Sequence, residues 1–316
     1  MNHGDSPDIT IVSPMWNESE GAAAFLAVLV EQVDEVDGIV EILIVDDGST
    51  DSTPQILAEW ESKITNMRVL TLSRNFGHQA AITAGVFAAR GQAVIVMDSD
   101  LQDPPSLIPE MVQKWREGAD VVYAVRNSRS GETAFKKISA SVFYRVLGKL
   151  SSTSIPADTG DFRLMGRNVV EALRAMPERD RYMRGLVSWV GFNQVPVYFD
   201  RAERFKGDTK YSLSKMIRLG TAGIVGFSDK PLYLAISFGL GALGLAFLGL
   251  VFVISSLIFG WGDLVRGWAS VVVIVMFFSA VQLIFLGVIG IYISRIFIEA
   301  KQRPMYLVKT DSYTKN

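Results

Sequence analysis

The sequence predicts an α/β domain with a mainly parallel sheet, followed by a two-helix transmembrane hairpin. Three observations carry this expectation. Short apolar runs alternate with helical patterns through the first half of the chain. One run, Ala93-Val94-Ile95-Val96-Met97, closes on Asp98-Ser99-Asp100, so two carboxylates fall at the carboxyl end of a buried strand, where open α/β sheets bind ligands. Later, Pro231 to Gly262 and Gly267 to Ser294 carry no charged residue, each stretch exceeding the roughly 20 residues that span a bilayer.

The elements follow in order. Ile9 to Ser13 reads as a strand. Asn17 to about Val36 reads as a helix, with Asn17 as N-cap and Glu20 three positions on, an asparagine variant of the capping box. Val40 to Val45 is a second strand, ending in Asp46-Asp47-Gly48-Ser49, and Asp51 to about Trp60 is the next helix. Met67 to Leu72 is a third strand and Gln79 to Ala89 an alanine-rich helix. After the Asp98 strand come a helix near Ser106 to Glu117 and a strand over Asp120 to Val125. Such alternation places helices on both faces of the sheet.

Ala134 to Leu150 carries Ile138, Val142, Phe143, Val146, Leu147 and Leu150 on one helical face, with Lys137, Arg145 and Lys149 off it. This is either a surface helix packed on the core or an amphipathic helix lying in a membrane interface. Tyr211 to Phe227 repeats the pattern as a juxtamembrane segment over 211–228. Only Asp263 and Arg266 interrupt the uncharged stretches, so two spans, about 231–260 and 267–295, form a hairpin within 229–300. Lys215, Arg218 and Lys230 precede it, and Arg295, Lys301 and Arg303 follow, which puts both ends in the cytoplasm. The expected plan is a cytoplasmic catalytic domain over 1–210, the hairpin, and a cytoplasmic tail over 301–316 of a multi-pass inner-membrane protein.

Composition narrows the function. The net charge of −2 offers no basic field for nucleic acid. None of the 316 residues is cysteine, which excludes disulfides and thiolate metal sites. Mean hydropathy is +0.26, an excess concentrated in the hairpin. The amino terminus has no basic-then-apolar signal peptide.

The chemistry gathers at strand ends. Asp98 and Asp100 offer hard oxygen ligands to Mg2+ or Mn2+, ions that also hold substrate phosphates, and Gln102 adds a neutral oxygen. Asp46-Asp47 ends the second strand; the pair reads either as a turn and cap or as carboxylates for a nucleobase or ribose. Pro14-Met15-Trp16-Asn17-Glu18 follows the first strand with aromatic and acidic groups. The two histidines are His3 and His78; neither is expected to bind metal, and His78 reads as a turn residue that begins a helix after Gly77.

Pro-x-Trp-Asn-Glu, Val-Asp-Asp-Gly-Ser-Thr-Asp, Arg74-Asn75-Phe76-Gly77 and Asp98-Ser99-Asp100-Leu101-Gln102-Asp103-Pro104-Pro105 occur in this order. Farther on stand Asp161-Phe162-Arg163-Leu164, Arg181-Tyr182-Met183-Arg184-Gly185, and Arg204-Phe205-Lys206-Gly207 with Lys210-Tyr211-Ser212. Together they resemble glycosyltransferase family 2, in the branch of polyprenyl-phosphate glycosyltransferases similar to dolichol-phosphate mannosyltransferase, and more narrowly the bacterial GtrB-type enzymes. The resemblance implies a GT-A fold and an inverting transfer. It implies that Pro14, Trp16, Glu18, Val45 and Asp47 line the nucleotide pocket, with Trp16 in place of the commoner tyrosine. Asp98, with Ser99 beside it, contacts the donor's nucleotide, while Asp100 and Gln102 hold the metal, to which Asp98 also offers an oxygen. Arg126 lies near the phosphates, and Arg204 and Lys210 sit in a loop closing over the donor.

The implied acceptor, a lipid phosphate, is largely dianionic at neutral pH because its second pKa lies near 6, so it needs no strong base. Asp158 or Asp161 matches the acceptor-side carboxylate, to orient the acceptor or the basic cluster; the bland alternative for Asp161 is a structural pair with a neighbouring arginine. Arg126, Arg163, Arg181 and Arg184 are candidates for the lipid phosphate, since a guanidinium fork matches phosphate oxygens. The favoured substrates are UDP-glucose and undecaprenyl phosphate. Another donor, such as GDP-mannose or a UDP-linked modified sugar, remains open. A processive polysaccharide synthase is disfavoured by the missing Gln-x-x-Arg-Trp motif, and an idle scaffold by the acidic rim. The resemblance also implies a homo-oligomer such as a tetramer.

Overall fold

The computed structural model describes residues 6–126, 159–179, 181–199, 230–259 and 268–315. Asp158, Arg204, Lys210, the amphipathic stretch 134–150 and the juxtamembrane segment 211–228 lie outside them.

Among the described residues eight strands form one sheet in the order β7-β5-β6-β4-β1-β2-β3-β8. They are β1 (Ile9–Met15), β2 (Val40–Asp46), β3 (Met67–Leu72), β4 (Ala93–Val96), β5 (Val121–Arg126), β6 (Thr159–Gly166), β7 (Gln194–Phe199) and β8 (Val308–Asp311). The strands β4, β1, β2 and β3 run parallel, and β7 runs parallel to β5. Two strands oppose the rest: β6, inserted between β4 and β5, and β8, added beside β3.

Helices cover both faces, and the alternation along each strand decides which residue faces which. Ile11, Ile42, Ile44, Ile95 and Leu164 face α1 (Ala22–Val33), α2 (Thr53–Lys63) and α4 (Ile108–Arg116). Val12, Leu43, Val45, Val94, Val96 and Met165 face α3 (His78–Ala88), α5 (Arg167–Ala175) and α6 (Met183–Trp189). Period-two alternation inside near-continuous apolar runs is what a strand buried on both faces requires.

The first helix departs from expectation. It begins at Ala22, not Asn17, and its N-cap is Gly21. Asn17 adopts φ +52°, and its Oδ1 accepts from the Thr50 N–H at 2.8 Å. Its own N–H donates to Ser49 Oγ at 3.0 Å. The asparagine ties the β1 loop to the β2 loop across the rim, which a capping role would forbid.

Two long helices follow, α7 (Lys230–Phe259) and α8 (Trp268–Ala300). Their large apolar side chains, Phe238, Leu245, Phe277 and Ile284 among them, are exposed. Among the described residues one stretch, Ile274–Ala300 with mean hydropathy 2.5, is long and apolar enough to cross a membrane. The end of α8 is fastened to the catalytic domain: Glu299 Oε1 accepts from the Arg179 N–H at 2.9 Å, and the Arg179 guanidinium donates to the Arg303 carbonyl at 2.8 Å. The chain then re-enters the sheet as β8, inside the stretch expected to be a tail. Arg68 of β3 forks onto Asp311, Nε to Oδ1 at 2.8 Å and an Nη to Oδ2 at 2.6 Å.

Candidate active site

The carboxyl ends of the parallel strands meet along one rim. Ser99 Oγ, just past β4, donates to the Pro14 carbonyl of β1 at 3.4 Å, and the Asp47 N–H donates to the Met15 carbonyl at 2.9 Å. Trp16, 51% exposed, stands open at this rim, and Glu18 is half-buried with its N–H on Thr53 Oγ1. Asp100 is exposed, and its Oδ1 accepts from the Gln102 N–H at 3.1 Å.

The antiparallel strand β6 brings the rest. Val96 of β4 pairs with Arg163. Continuing that register two residues sets Asp98 opposite Asp161, both on the α3/α5/α6 face. Asp161 is only 4% exposed, and Arg184 at the start of α6 forks onto it, Nε to Oδ1 at 2.9 Å and an Nη to Oδ2 at 3.1 Å. His78, the first residue of α3, places Nε2 at 3.2 Å from Asp161 Oδ2 and 3.4 Å from Asp98 Oδ1. Arg126, at the end of β5, lies 3.5 Å from Asp103.

Burial and neighbours shift the two facing carboxyls in opposite directions. Burial, with Asp161, Asp103 and Asp100 nearby, pushes Asp98 up to about 6, against the pull of His78. Burial also works against charge on Asp161, but the His78 hydrogen bond and the Arg184 guanidinium overcome it and hold this carboxyl well below the usual range. Asp161 therefore stays ionised and is unsuited to take a proton, since a general base needs a pKa near the working pH. Burial opposes the charged imidazole of His78, yet the bond to Asp161 and the charge of Asp98 raise its pKa. Arg163 is buried, which pulls its guanidinium down to about 10; one Nη donates to the Gly160 carbonyl at 2.9 Å.

Several expected site residues take other positions. The Val45 side chain is fully buried under α3, so it belongs to the core and only its main chain borders the rim. Asp47 is buried, and its two oxygens accept from the Phe76 and Gly77 N–H groups at 2.8 and 2.9 Å. Its carboxylate shapes the Arg74–Gly77 loop and faces inward, away from the open rim. Arg181 donates to the Leu173, Met176 and Glu178 carbonyls, closing the end of α5, so its fork is already occupied. Gln102 is 5% exposed, and its main-chain N–H donates to Asp100.

His78 begins α3 after Gly77, as the sequence suggests, but its role in the site was not foreseen. The signal lay in its position, since residues 73–78 continue β3 to the same rim that the other strand ends reach.

The donors fit a divalent cation at Asp98 and Asp100, hard oxygens two residues apart on an open edge. His78, Asp98 and Asp161 also lie within 4.8 Å of one another. That trio is a poorer set, because an ion there must displace Arg184 from Asp161.

Gly48, at φ +66°, lets the β2 loop pass beneath the Arg74–Asn75 main chain. An added Cβ would stand 2.7 Å from Arg74 Cα and 2.8 Å from Asn75 N. Gly48→Ala is expected to cost about 1–3 kcal/mol and to weaken nucleotide binding, read by thermal melting with and without UDP. An unchanged melting temperature refutes the close-approach argument.

The sequence pattern of the family described as Glycosyl transferase family 2 matches residues 10–174. The chain is 47% identical over 300 residues to "Uncharacterized glycosyltransferase YkcC" of Bacillus subtilis (strain 168), across 95% of this chain and 93% of that one. It is 40% identical over 302 residues to "Prophage bactoprenol glucosyl transferase homolog" of Escherichia coli (strain K12), across 95% and 98%. It is 40% identical over 304 residues to "Bactoprenol glucosyl transferase" of Shigella phage SfV, across 96% and 98%. Likeness at this level over nearly the whole chain, together with a strand-end rim of carboxylates on a mostly parallel sheet, shows that the chain belongs to glycosyltransferase family 2.

Proposed function

We propose that the protein transfers glucose from UDP-glucose to the phosphate of undecaprenyl phosphate at the cytoplasmic face of the inner membrane, with inversion at the anomeric carbon. The observation that carries this reading is the 40% identity, over nearly the full length, to relatives named bactoprenol glucosyl transferase. The exposed apolar surfaces of α7 and α8 support a two-span hairpin, because a helix apolar all round in contact with water has no stable soluble setting. The basic residues at both of its ends support a multi-pass protein with the catalytic domain in the cytoplasm.

A phosphate oxygen of the lipid attacks the anomeric carbon, the bond to the UDP oxygen breaks, and UDP leaves with the electron pair. Asp98 and Asp100 would hold Mg2+ or Mn2+, which offsets the charge building on the departing diphosphate. Trp16 offers an open aromatic face to the base. Arg126, with Arg204 and Lys210 from the segment outside the described residues, places positive charge around the donor phosphates. Arg184, oriented by Asp161, presents the rest of its guanidinium toward the acceptor phosphate, and Arg163 adds charge behind it. Asp158 and Asp161 are assigned to orienting this basic cluster.

The test is a panel of UDP- and GDP-sugars incubated with purified full-length protein, Mn2+ or Mg2+, and undecaprenyl phosphate, with products identified by mass spectrometry. Glucosyl-phosphoryl-lipid from UDP-glucose is the expected product, and Asp100→Ala lowers its formation by about 100-fold or more. No lipid-linked sugar from any donor, or an Asp100→Ala variant as active as the parent, refutes the proposal.

A further inference from the structure

Continuing the β4–β6 register sets Asp98, half-buried, opposite the buried Asp161, and two carboxylates so placed repel. The ring of His78 bridges them, with Nε2 near an oxygen of each. It is aimed there by the main chain. Gly77 before it adopts φ +99°, and Asp47 holds the Phe76 and Gly77 N–H groups in place. The next residue, Gln79, accepts from the Met183 N–H at 2.9 Å through Oε1. That bond ties the first turn of α3 to the start of α6, where Arg184 projects. Three separately anchored segments, the end of β4 and the starts of β6 and α6, converge on the imidazole at the start of α3.

We infer that His78 is a positioning residue that couples the donor-side carboxylate Asp98 to the Asp161–Arg184 pair, so that the two halves of the site hold a single geometry. The substrates in this inference rest on the transfer reaction proposed above. Nε2 stands 3.2 Å from Asp161 Oδ2 and 3.4 Å from Asp98 Oδ1, so one ring nitrogen sets the spacing of both carboxylates. Removing the ring leaves the two carboxylates to separate, and the rotamer of Asp98 then no longer depends on where Asp161 and Arg184 stand. The donor pocket and the acceptor arginine lose their common reference. Partners that orient ligating carboxylates in this way typically matter by about 10- to 100-fold when removed.

The experiment is a double-mutant cycle on the full-length protein: the parent, His78→Ala, Asp161→Asn and the double variant. With UDP-glucose, Mn2+ and undecaprenyl phosphate, His78→Ala is expected to lower kcat by about 10- to 100-fold while KM for UDP-glucose moves far less. The double variant is expected to lose no more than the worse single one, because both remove the same coupling. Losses that multiply in the double variant, or a kcat for His78→Ala within about twofold of the parent, overturn the inference. Should His78→Ala fail to fold, His78→Leu, which fills the space but offers no donor, takes its place under the same criteria. Should the parent transfer no sugar, the proposed reaction fails on its own. The cycle is then read from the free energy of denaturant unfolding, where sub-additive losses support the coupling and additive ones overturn it.

Discussion

Asp161→Ala is expected to be among the most damaging single substitutions in this protein. The carboxylate is buried and carries Arg184 on both oxygens, with His78 on one and Arg163 close by. Deleting it leaves enclosed cations without a counter-charge, a loss of about 3–5 kcal/mol. Activity falls further, because Arg184 loses the fork that aims it, and misplacement of about 1 Å can cost on the order of 100-fold. Asp161→Asn keeps the shape and an acceptor for Arg184 but not the charge, so it falls between the parent and the alanine variant. Denaturant unfolding and turnover with a lipid acceptor check both effects. Asp161→Ala with near-parental turnover would remove Asp161 from the site and leave Asp158 as the acceptor-side carboxylate.

The second large effect lies at the far edge of the sheet. Arg68 forks onto Asp311, also touches Glu41 at 3.5 Å, and donates to the Ala88 carbonyl. The Tyr313 ring lies under Arg90 at 4.1 Å and Arg68 at 5.3 Å. Arg68→Ala leaves Asp311 without its guanidinium, while Glu41 keeps Arg90 at 2.6 Å, and is expected to cost about 1–3 kcal/mol. Arg68→Lys costs less but does not restore the parent, because an ammonium cannot reproduce the fork. The pH dependence has a definite sign. Burial disfavours charge on Asp311, but the Arg68 hydrogen bond and charge outweigh it, so its folded pKa is lowered. The stabilisation is therefore complete above the unfolded pKa of about 3.9 and is lost as pH falls through the lower folded value. Protease release of the carboxyl-terminal segment is expected to rise below about pH 4 in the parent, and to be high and pH-independent there in Asp311→Asn. A segment equally protected in both variants would sink the argument.

Of the parallel strands, β7 was missed; the sequence disclosed β1 to β5 because their signal is local. Each is an apolar run a few residues long, closed by a turn, and each was found within a residue or two of its observed bounds. The two antiparallel strands were missed for the opposite reason. Nothing near Thr159–Gly166 says that it inserts between β4 and β5, and nothing near Val308–Asp311 says that it returns to β3. The site follows the same division. Asp98 and Asp100 were legible from the strand they end. His78 was not, because its partner Asp161 lies 83 residues away on a strand whose direction only the fold supplies. Asp47 was found for the right place and given the wrong neighbour: its partners are main-chain N–H groups, which carry no sequence signature. Asn17 was read as a cap because a cap needs only local sequence, whereas its bonds to Ser49 and Thr50 need two loops brought together.

The late return of the chain to β3 also fixes an order of events during synthesis. Arg68 and Asp311 are separated by 243 residues, and everything between them, both long helices included, must leave the ribosome before they can meet. Until then β3 carries an unpaired row of amide and carbonyl groups, the kind of open border on which strands from other chains assemble. A nascent or prematurely terminated chain thus has a nearly finished α/β domain with one sticky side, which closes only when Val308–Asp311 arrives to pair with β3.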